Sequence, residues 1–443
     1  MLSLIDQEEP RPKLLLRALA TLLRGGVRAE ELGPLMARAD PIELARLFYM
    51  IEWFDGRGLL CKSVEDRRGF HVAMVEPVGA RRLPEAPLTD DTMLALSPYA
   101  LAARCGETMV LEAATGTARI LLVEPKCLWL FGLLAAPTSA ADVIAKADTA
   151  LGRAAVMALL GSAVGAGIVE LLDAQTGNSP AANASDQGWV LHDLLFHARS
   201  REGWNTAPCG ATYRFRGQTA PSPALKQLSS ERAVALPASA LVAGSESFLA
   251  VLERRRSLRE GEGPMTLQAL GDLLYHAARV RNISVGPDGG EITDRPYPSA
   301  GASYELEIHV VVGRCAGLDP GIYTHDPANH RLVFPTGTAN GAQFLEDARI
   351  ACGATAVPDV LLVITSRFRR LAWKYESIAY ALALKNAGVL LQTLCLTAAA
   401  LDLAACPVGN GDGPAFCAAT GLDYFEESPV AELSLYGFRS VKA

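Results

Sequence analysis

The spacing of apolar positions divides the chain into a small helix-and-hairpin region and a larger mixed region. Near the N-terminus, apolar residues first recur every three to four positions and then alternate with polar ones. The predicted elements are helices at residues 12–25, 29–37 and 40–54 and strands at residues 59–64 and 70–75. Three helices and a hairpin predict a winged-helix-like unit over about residues 1–80.

A second group of elements loosely repeats this pattern. The predicted strands are at residues 110–113, 118–123 and 168–172, and the predicted helices are at residues 128–134, 139–147 and 151–163. Residues 1–175 are therefore predicted to hold up to two winged-helix-like units, the second at about residues 100–175. Small polar residues without periodicity predict a linker at residues 176–188, and residues 189–443 are predicted to form the second domain.

The strongest apolar signals lie in this second domain. Residues 306–312 are almost continuously apolar and predict a buried strand. Residues 378–403 predict a long helix that is apolar on every side but contains Lys385 and Asp402, which favours a buried helix over a membrane span. A helix that is apolar all round needs a partner for each face, so we expect it to form a homodimer interface.

Composition and charge narrow the possible functions. The chain has 443 residues, half of them hydrophobic, and a formal net charge of −7. That charge disfavours nucleic acids and anionic membranes, despite the winged-helix pattern. Nine scattered cysteines without a C-x-x-C pair predict reduced thiols in the cytoplasm and no metal site. For residues 1–175 two roles stay open, peptide binding along a strand edge and a plain scaffold.

Three stretches carry candidate chemistry. A small-residue loop precedes the buried strand and contains Pro298, Ser299, Ala300, Gly301 and Ser303. It would let a flat ligand lie on the backbone, and it is equally compatible with a tight turn. An arginine run at residues 254–259 includes Arg255, Arg256, Ser257 and Arg259. It fits an anion such as a phosphate, or a solvated basic turn.

The third stretch is the adjacent pair Lys374 and Tyr375. Either residue could accept a proton if burial or a nearby cation lowered its pKa. Further along, Cys406, Pro407, Val408 and Gly409 follow the predicted long helix, and their pattern is also compatible with an ordinary helix exit. The glycine-rich residues 409–413 superficially resemble a dinucleotide loop. They are not expected to follow a strand and open a helix, so that interpretation is set aside.

In order and spacing these stretches resemble the flavin-dependent nitroreductase fold, and more narrowly its SagB-type thiazoline/oxazoline dehydrogenases, over about residues 189–443. The resemblance implies an α+β fold with an antiparallel or mixed sheet and a flavin site between two subunits. It implies that Arg255, Arg256, Ser257 and Arg259 hold the FMN phosphate, that residues 298–303 pass beneath the flavin ring, that Cys406, Pro407, Val408 and Gly409 cover it, and that Lys374 and Tyr375 are catalytic. Many members have a second glycine where this chain has Ala300.

The activity that this resemblance implies is FMN-dependent oxidation of thiazoline or oxazoline rings in a ribosomally made peptide, with oxygen reoxidising the flavin. A precursor peptide and cyclodehydratase partners are implied in the same way. Two alternatives stay open: a nitroreductase-type enzyme that reduces small molecules with NAD(P)H, and a non-enzymatic peptide-binding protein that keeps the fold.

Overall fold

The computed structural model forms two compact units, Met1–Thr206 and Ala207–Ala443. The structure describes residues 20–21, 41–79, 81–83, 86–147, 151–173, 176, 188–205, 207–228, 232–239, 246–286, 289–334 and 341–439. Apart from residues 20 and 21, the predicted helices at 12–25 and 29–37 lie outside these residues, and so does most of the predicted linker. The domain assignment made from the sequence stays a prediction.

The N-terminal unit combines five described helices with two antiparallel sheets. The helices are α1 (Pro41–Asp55), α2 (Cys127–Gly132), α3 (Ala140–Lys146), α4 (Arg153–Gly165) and α5 (Leu191–Arg199). The strands are β1 (Lys62–Glu65), β2 (His71–Pro77), β3 (Met93–Leu96), β4 (Ala100–Cys105), β5 (Thr108–Ala113), β6 (Ala118–Leu122), β7 (Thr138–Ser139) and β8 (Val169–Leu171). The five-stranded sheet has the order β1-β2-β6-β5-β4, and the three-stranded sheet has the order β7-β3-β8.

Most of the predicted elements of this unit are present. The predicted hairpin is the β1–β2 pair, and the predicted helices at 128–134, 139–147 and 151–163 correspond to α2, α3 and α4. Helix α4 is packed into the core through Leu159 and Leu160, as its apolar composition indicates. Because β2 pairs with β6, strands from both predicted small units share one sheet. The winged-helix-like description stays a prediction.

The C-terminal unit is built on a seven-stranded sheet. The described strands of the whole unit, including four that form two separate pairs (β10 with β14, and β11 with β12), are β9 (Ala233–Ala235), β10 (Met265–Thr266), β11 (Asn282–Val285), β12 (Glu291–Asp294), β13 (Leu306–Val312), β14 (Cys315–Ala316), β15 (Gly321–Asp326), β16 (Arg331–Val333), β17 (Val360–Arg367), β18 (Leu403–Val408) and β19 (Glu427–Phe438). Its described helices are α6 (Phe248–Arg254), α7 (Leu267–Ala278), α8 (Ala342–Cys352), α9 (Phe368–Ala372), α10 (Ala379–Ala400) and α11 (Gly413–Thr420). The sheet order is β18-β19-β17-β13-β15-β16-β9, with every neighbouring pair antiparallel.

The centre of this sheet is covered on both faces. Helices α7 and α10 pack on one face, and α8 and α11 pack on the other. All seven residues of β13 are therefore buried, and the strand predicted at residues 306–312 is confirmed over its whole length. Most of its residues are apolar because both faces are covered. The two polar residues of the strand are buried with partners, Glu307 beside Arg367 at 2.8 Å and His309 beside Glu427 at 3.3 Å.

The end of the long apolar stretch differs from the prediction. Helix α10 ends at Ala400, Asp402 adopts a left-handed backbone conformation (φ 56°), and β18 begins at Leu403. Residues 406–408 therefore lie in an edge strand paired with β19, and the predicted helix exit is wrong. Pro407 is tolerated there because an edge strand needs ladder hydrogen bonds on one side only.

Helix α10 is the one helix in the described part of the chain that is long and apolar enough to cross a membrane. Within this chain 39% of its most apolar stretch is buried, and Tyr380 and Leu384 are exposed. The remaining apolar surface suits a partner, and the predicted homodimer interface stays a prediction.

A buried ion network fastens the segment before β9 to the sheet. Lys226 Nζ lies 2.7 Å from both carboxylate oxygens of Glu427, Thr365 donates to the same group at 2.7 Å, and His309 Nε2 lies 3.3 Å away. Burial alone would raise the pKa of Glu427, but the hydrogen bond with His309 and the charge of Lys226 lower it to about 2. The charged carboxylate is thus the form that the folded state favours.

We therefore expect Glu427→Gln to lower the free energy of unfolding by about 3 kcal/mol at pH 7. Because the pKa is depressed from about 4.5 to about 2, this contribution is complete above pH 4.5 and is lost as the pH falls toward 2. Urea unfolding of both proteins between pH 7 and pH 3 measures the difference. A difference that stays constant across that range would contradict the depressed pKa.

Candidate active site

The small-residue loop, residues 298–303, is a strained turn between β12 and β13. Gly301, Ala302 and Tyr304 have φ values of 54°, 53° and 46°, in the left-handed region. Two of these residues are not glycine, and side chains rarely adopt that region unless the surroundings enforce it. The N–H groups of Ala302 and Ser303 close the turn onto the carbonyl oxygens of Ser299 and Ala300, each at 3.1 Å. The loop is therefore a preformed shape.

Lys374 and Tyr375 meet this loop at Gly301. The pair lies in the turn between α9 and α10, where the N–H of Tyr375 donates to the carbonyl of Leu371 at 2.8 Å. A Cβ atom added to Gly301 would lie 2.3 Å from Tyr375 Oη and 2.9 Å from Lys374 Nζ. Both polar tips therefore approach the same exposed glycine, and the structure brings together two stretches that were separate in the sequence.

The segment at residues 208–219 runs along this pair and was missed in the sequence. Tyr213 N donates to the carbonyl of Lys374 at 3.1 Å, and Gly210 pairs with Glu376 through two backbone hydrogen bonds. The Tyr213 ring lies 5.5 Å from Lys374 Nζ, and the Tyr375 ring lies 5.8 Å from the same atom. The ammonium group thus has an aromatic ring on two sides, an arrangement that attracts a cation.

The arginine run contains one neutralised residue and three residues without an acidic partner. Arg254 bonds Glu246 at 2.6 Å and Asp402 at 2.5 Å. Arg256 donates to the backbone carbonyls of Glu253 and Arg255, and Arg259 donates to the carbonyl of Cys352 at 2.7 Å.

Within the described residues no carboxylate pairs with the guanidinium groups of Arg255, Arg256 and Arg259. Their charge is available to an anion, and Ser257 lies exposed among them.

Strand β18 lies beside the arginine run because Leu258 N donates to the carbonyl of Ala405 at 2.9 Å. Cys406 is 2% exposed, and burial raises the pKa of its thiol to about 11, so this thiol packs rather than reacts. Pro407 has no N–H to donate. Gly409, exposed at the end of the strand, is the member of residues 406–409 best placed to face a ligand.

The glycine-rich residues 409–413 do follow a strand and open a helix, so the expectation about their surroundings was wrong. Their chemistry nevertheless disfavours a phosphate. Asp412 caps α11 by accepting a hydrogen bond from Ala415 N at 2.9 Å, so a carboxylate already occupies the helix N-terminus. A Cβ atom at Gly411 would lie 2.5 Å from the buried carboxyl of Glu432, whose pKa burial raises to about 7.

The candidate residues form two half-sites along α10. The charge of Arg255 acts on Cys395 of this helix, whereas the small-residue loop bonds to Asn386. Positions 386 and 395 are nine residues apart, which is about 13 Å along the helix axis. One half-site holds the arginine run and β18, and the other holds the loop with Lys374 and Tyr375.

The two half-sites have the donors that FMN would require. Three guanidinium groups without acidic partners among the described residues suit a phosphate dianion, and a preformed turn of small residues presents backbone rather than bulky side chains to a planar ring. The N–H of Gly301 has no hydrogen-bond partner among the described residues. The same part of the chain contains no cluster of three or more His, Cys, Asp or Glu side chains arranged for a metal ion.

Comparison with known proteins places these half-sites in a family. A model described as the nitroreductase family matches residues 252–435, and one described as the cyanobactin oxidase ThcOx matches residues 94–206. A protein of Methanocaldococcus jannaschii named as a nitroreductase is 30% identical over 160 residues, which cover 36% of this chain and 76% of that protein.

Solved structures show weaker similarity. A Ralstonia eutropha protein titled as a nitroreductase is 21% identical, with 50% of this chain and 97% of that one covered and a TM-score of 0.37. The E. coli microcin synthetase McbBCD complex, solved with truncated pro-MccB17 bound, is 20% identical, with 55% and 91% covered and a TM-score of 0.36. At these scores the structures add nothing to the family matches.

The contact between Gly301 and the Lys374–Tyr375 pair predicts an unequal cost for two matched substitutions. Gly301→Ala and Gly421→Ala both place a side chain at a left-handed position (φ 54° and 72°), which costs about 1–2 kcal/mol each. Only the Cβ at residue 301 meets neighbouring atoms. We expect Gly301→Ala to lose up to about 1 kcal/mol more in urea unfolding, because the tips of Tyr375 and Lys374 must move aside.

The excess should shrink in a Tyr375→Phe background, which removes the nearest atom. Equal losses for Gly301→Ala and Gly421→Ala would show that the pair does not lie against the loop.

Proposed function

Because this chain belongs to the nitroreductase family, we propose that it is an FMN-dependent dehydrogenase that oxidises thiazoline or oxazoline rings to thiazoles or oxazoles in a ribosomally made peptide. The observation that carries the proposal is the convergence of Lys374 Nζ and Tyr375 Oη on Gly301 of the small-residue loop. This arrangement places two groups, either of which accepts a proton once it is deprotonated, at the surface where a flat ring would lie.

The two family matches support an oxidoreductase that modifies ribosomally made peptides. The nitroreductase match covers the half-sites, and the match to a cyanobactin oxidase lies in the N-terminal unit. A reductase of small molecules has no evident use for such a second unit. We propose that this unit handles the precursor peptide and that a cyclodehydratase supplies the azoline, in the cytoplasm.

Conversion of an azoline to an azole removes one hydride and one proton from the ring. Bound FMN supplies a hydride acceptor, and oxygen restores the oxidised cofactor in this proposal. Arg255, Arg256 and Arg259, which pair with no carboxylate in the described part of the chain, would bind its phosphate, and the small-residue loop and Gly409 would hold its ring. Lys374 and Tyr375 lie close enough to act as one unit, in which one residue accepts the ring proton and the other orients or polarises it.

The separation of the half-sites supports a homodimer. Asn386, which bonds the loop, and Cys395, on which the charge of Arg255 acts, lie about 13 Å apart along α10. The same helix keeps an apolar surface that this chain does not bury. We propose that a two-fold partner brings its loop half-site to the arginine half-site of the first protomer. We therefore propose that the complete site lies between two subunits.

The arginine assignment predicts a selective loss of cofactor affinity. Arg255→Ala should weaken FMN binding by about 1.5–3 kcal/mol, because a charge-assisted hydrogen bond to the phosphate is lost. Arg331→Ala is the matched control, since Arg331 is already paired with Asp326 at 2.8 Å. Fluorescence titration of the apoprotein measures both. The same affinity in Arg255→Ala and in Arg331→Ala would remove the arginine run from the cofactor site.

The Lys374–Tyr375 assignment predicts a loss of turnover without loss of flavin. Lys374→Ala and Tyr375→Phe should each lower the rate of azoline oxidation by about 10²–10⁴-fold, the usual contribution of a positioned base. The double variant should lose little more than either single variant, because the two act together. Loss of two hydrogens per ring, read by mass spectrometry, reports turnover at saturating FMN.

Tyr424→Phe, an exposed tyrosine outside both half-sites, should keep its full rate. Near-normal turnover in both single variants would exclude the pair from the chemistry. Reduction of a nitroaromatic compound with NAD(P)H, together with inertness toward azoline peptides, would support the alternative of a small-molecule reductase.

A further inference from the structure

One buried side chain outside the predicted site holds the small-residue loop. Asn386 of α10 is 5% exposed. Its Oδ1 accepts a hydrogen bond from Ala300 N at 3.1 Å, and its Nδ2 donates to Ser299 Oγ at 3.2 Å and to Glu305 Oε1 at 2.9 Å. A single amide thus uses three of its four hydrogen-bonding positions on one turn.

A second layer of contacts completes this network. Ser299 Oγ also accepts from Tyr304 N at 3.0 Å and lies 3.3 Å from Glu305 Oε2, to which it donates. Glu305 is fully buried, and burial raises the pKa of its carboxyl while the Asn386 amide opposes that change. Arg370 donates to the carbonyl of Ser303 at the other end of the loop. The left-handed residues are therefore held from several directions.

These contacts determine which backbone N–H groups of the loop already have a hydrogen-bond partner. The N–H of Ala300 is taken by Asn386, that of Tyr304 by Ser299, and those of Ala302 and Ser303 by the turn itself. The N–H of Gly301 has no partner among the described residues, and Gly301 is exposed beside Lys374 and Tyr375. Ala300 therefore contributes its shape to the loop but no free donor.

We infer that Asn386 is a positioning residue that turns the Ala300 amide inward and leaves the Gly301 amide, beside Lys374 and Tyr375, as a donor to a bound ring. The identity of that ring rests on the proposed function, whereas the hold on the loop does not. An amide is suited to this place because it donates to a buried carboxylate and accepts from a backbone N–H with the same side chain.

The first test is hydrogen exchange of the apoprotein, read in the peptide that contains residues 299–304. Asn386→Ala should raise exchange there about tenfold, because the loop loses its bonds to α10. Thr393→Ala on the same helix should leave it unchanged, since among the described residues that hydroxyl bonds the carbonyl of Val389 and no group of the loop. Unchanged exchange in Asn386→Ala would overturn the inference without any reference to cofactor or substrate.

The second test exchanges donor and acceptor. Asn386→Asp keeps an acceptor for Ala300 N but places a carboxylate about 2.9 Å from that of Glu305, and two such groups cannot both ionise. Uptake of one proton restores a donor. FMN affinity and loop protection in this variant should therefore recover as the pH falls from 8 to 5.5, whereas Asn386→Ala should stay impaired at every pH.

The double variant Asn386→Asp with Glu305→Gln exchanges the donor and the acceptor of this hydrogen bond, because the amide at position 305 now donates to the carboxylate at position 386. It should recover FMN affinity at pH 8 and lose the pH dependence of Asn386→Asp. In the proposed reaction Asn386→Ala should lower kcat by up to about 10²-fold, since the loop positions the ring. An absent pH recovery in Asn386→Asp together with a failed double variant would overturn the positioning role. If the exchange results are as expected but the protein does not oxidise azolines, the positioning role of Asn386 stands and the proposed function is refuted.

Discussion

Burial of helix α10 against the seven-stranded sheet is the constraint on which the rest of the C-terminal unit depends. One side of the helix supplies Leu390 and Leu394 to the core that also contains β13. The same helix provides the Asn386 side-chain amide that holds the small-residue loop. Further along the helix, Cys395 lies within the electrostatic influence of Arg255. The positions of both half-sites are thus set by one rigid element, which suits groups that must hold a ligand precisely placed.

Charge in this unit is distributed so that the candidate site keeps cations that its surroundings do not neutralise. Arg254 is held by two acids, and Arg331 is held by one. Arg255 and Arg259 are not paired with any carboxylate in the described part of the chain. In a protein with a net charge of −7, such an unneutralised cluster is a specific feature rather than a general surface property.

The sequence predicted the structure best where a residue pattern is typical of a single kind of element. A mostly apolar run identified β13, although Glu307 and His309 interrupt it. Small residues before it marked the loop, but the same pattern fitted a tight turn, and only the fold shows which residues the loop contacts. The sequence failed at β18 because helix and edge strand share the same apolar composition, and the left-handed Asp402 between them gives no local signal. It also missed two residues of the site. Asn386 is a single polar residue in an apolar helix, and Tyr213 reaches Lys374 only through the fold.

The central claim is that the loop and the Lys374–Tyr375 pair form a surface on which an azoline ring gives up two electrons to FMN. An anaerobic single turnover of the FMN-loaded protein with an azoline peptide tests this most directly. The account predicts loss of the visible absorbance of oxidised flavin, with one ring oxidised for each flavin reduced and no nicotinamide required. Flavin that is reduced by NAD(P)H but stays oxidised in the presence of the azoline peptide would contradict it.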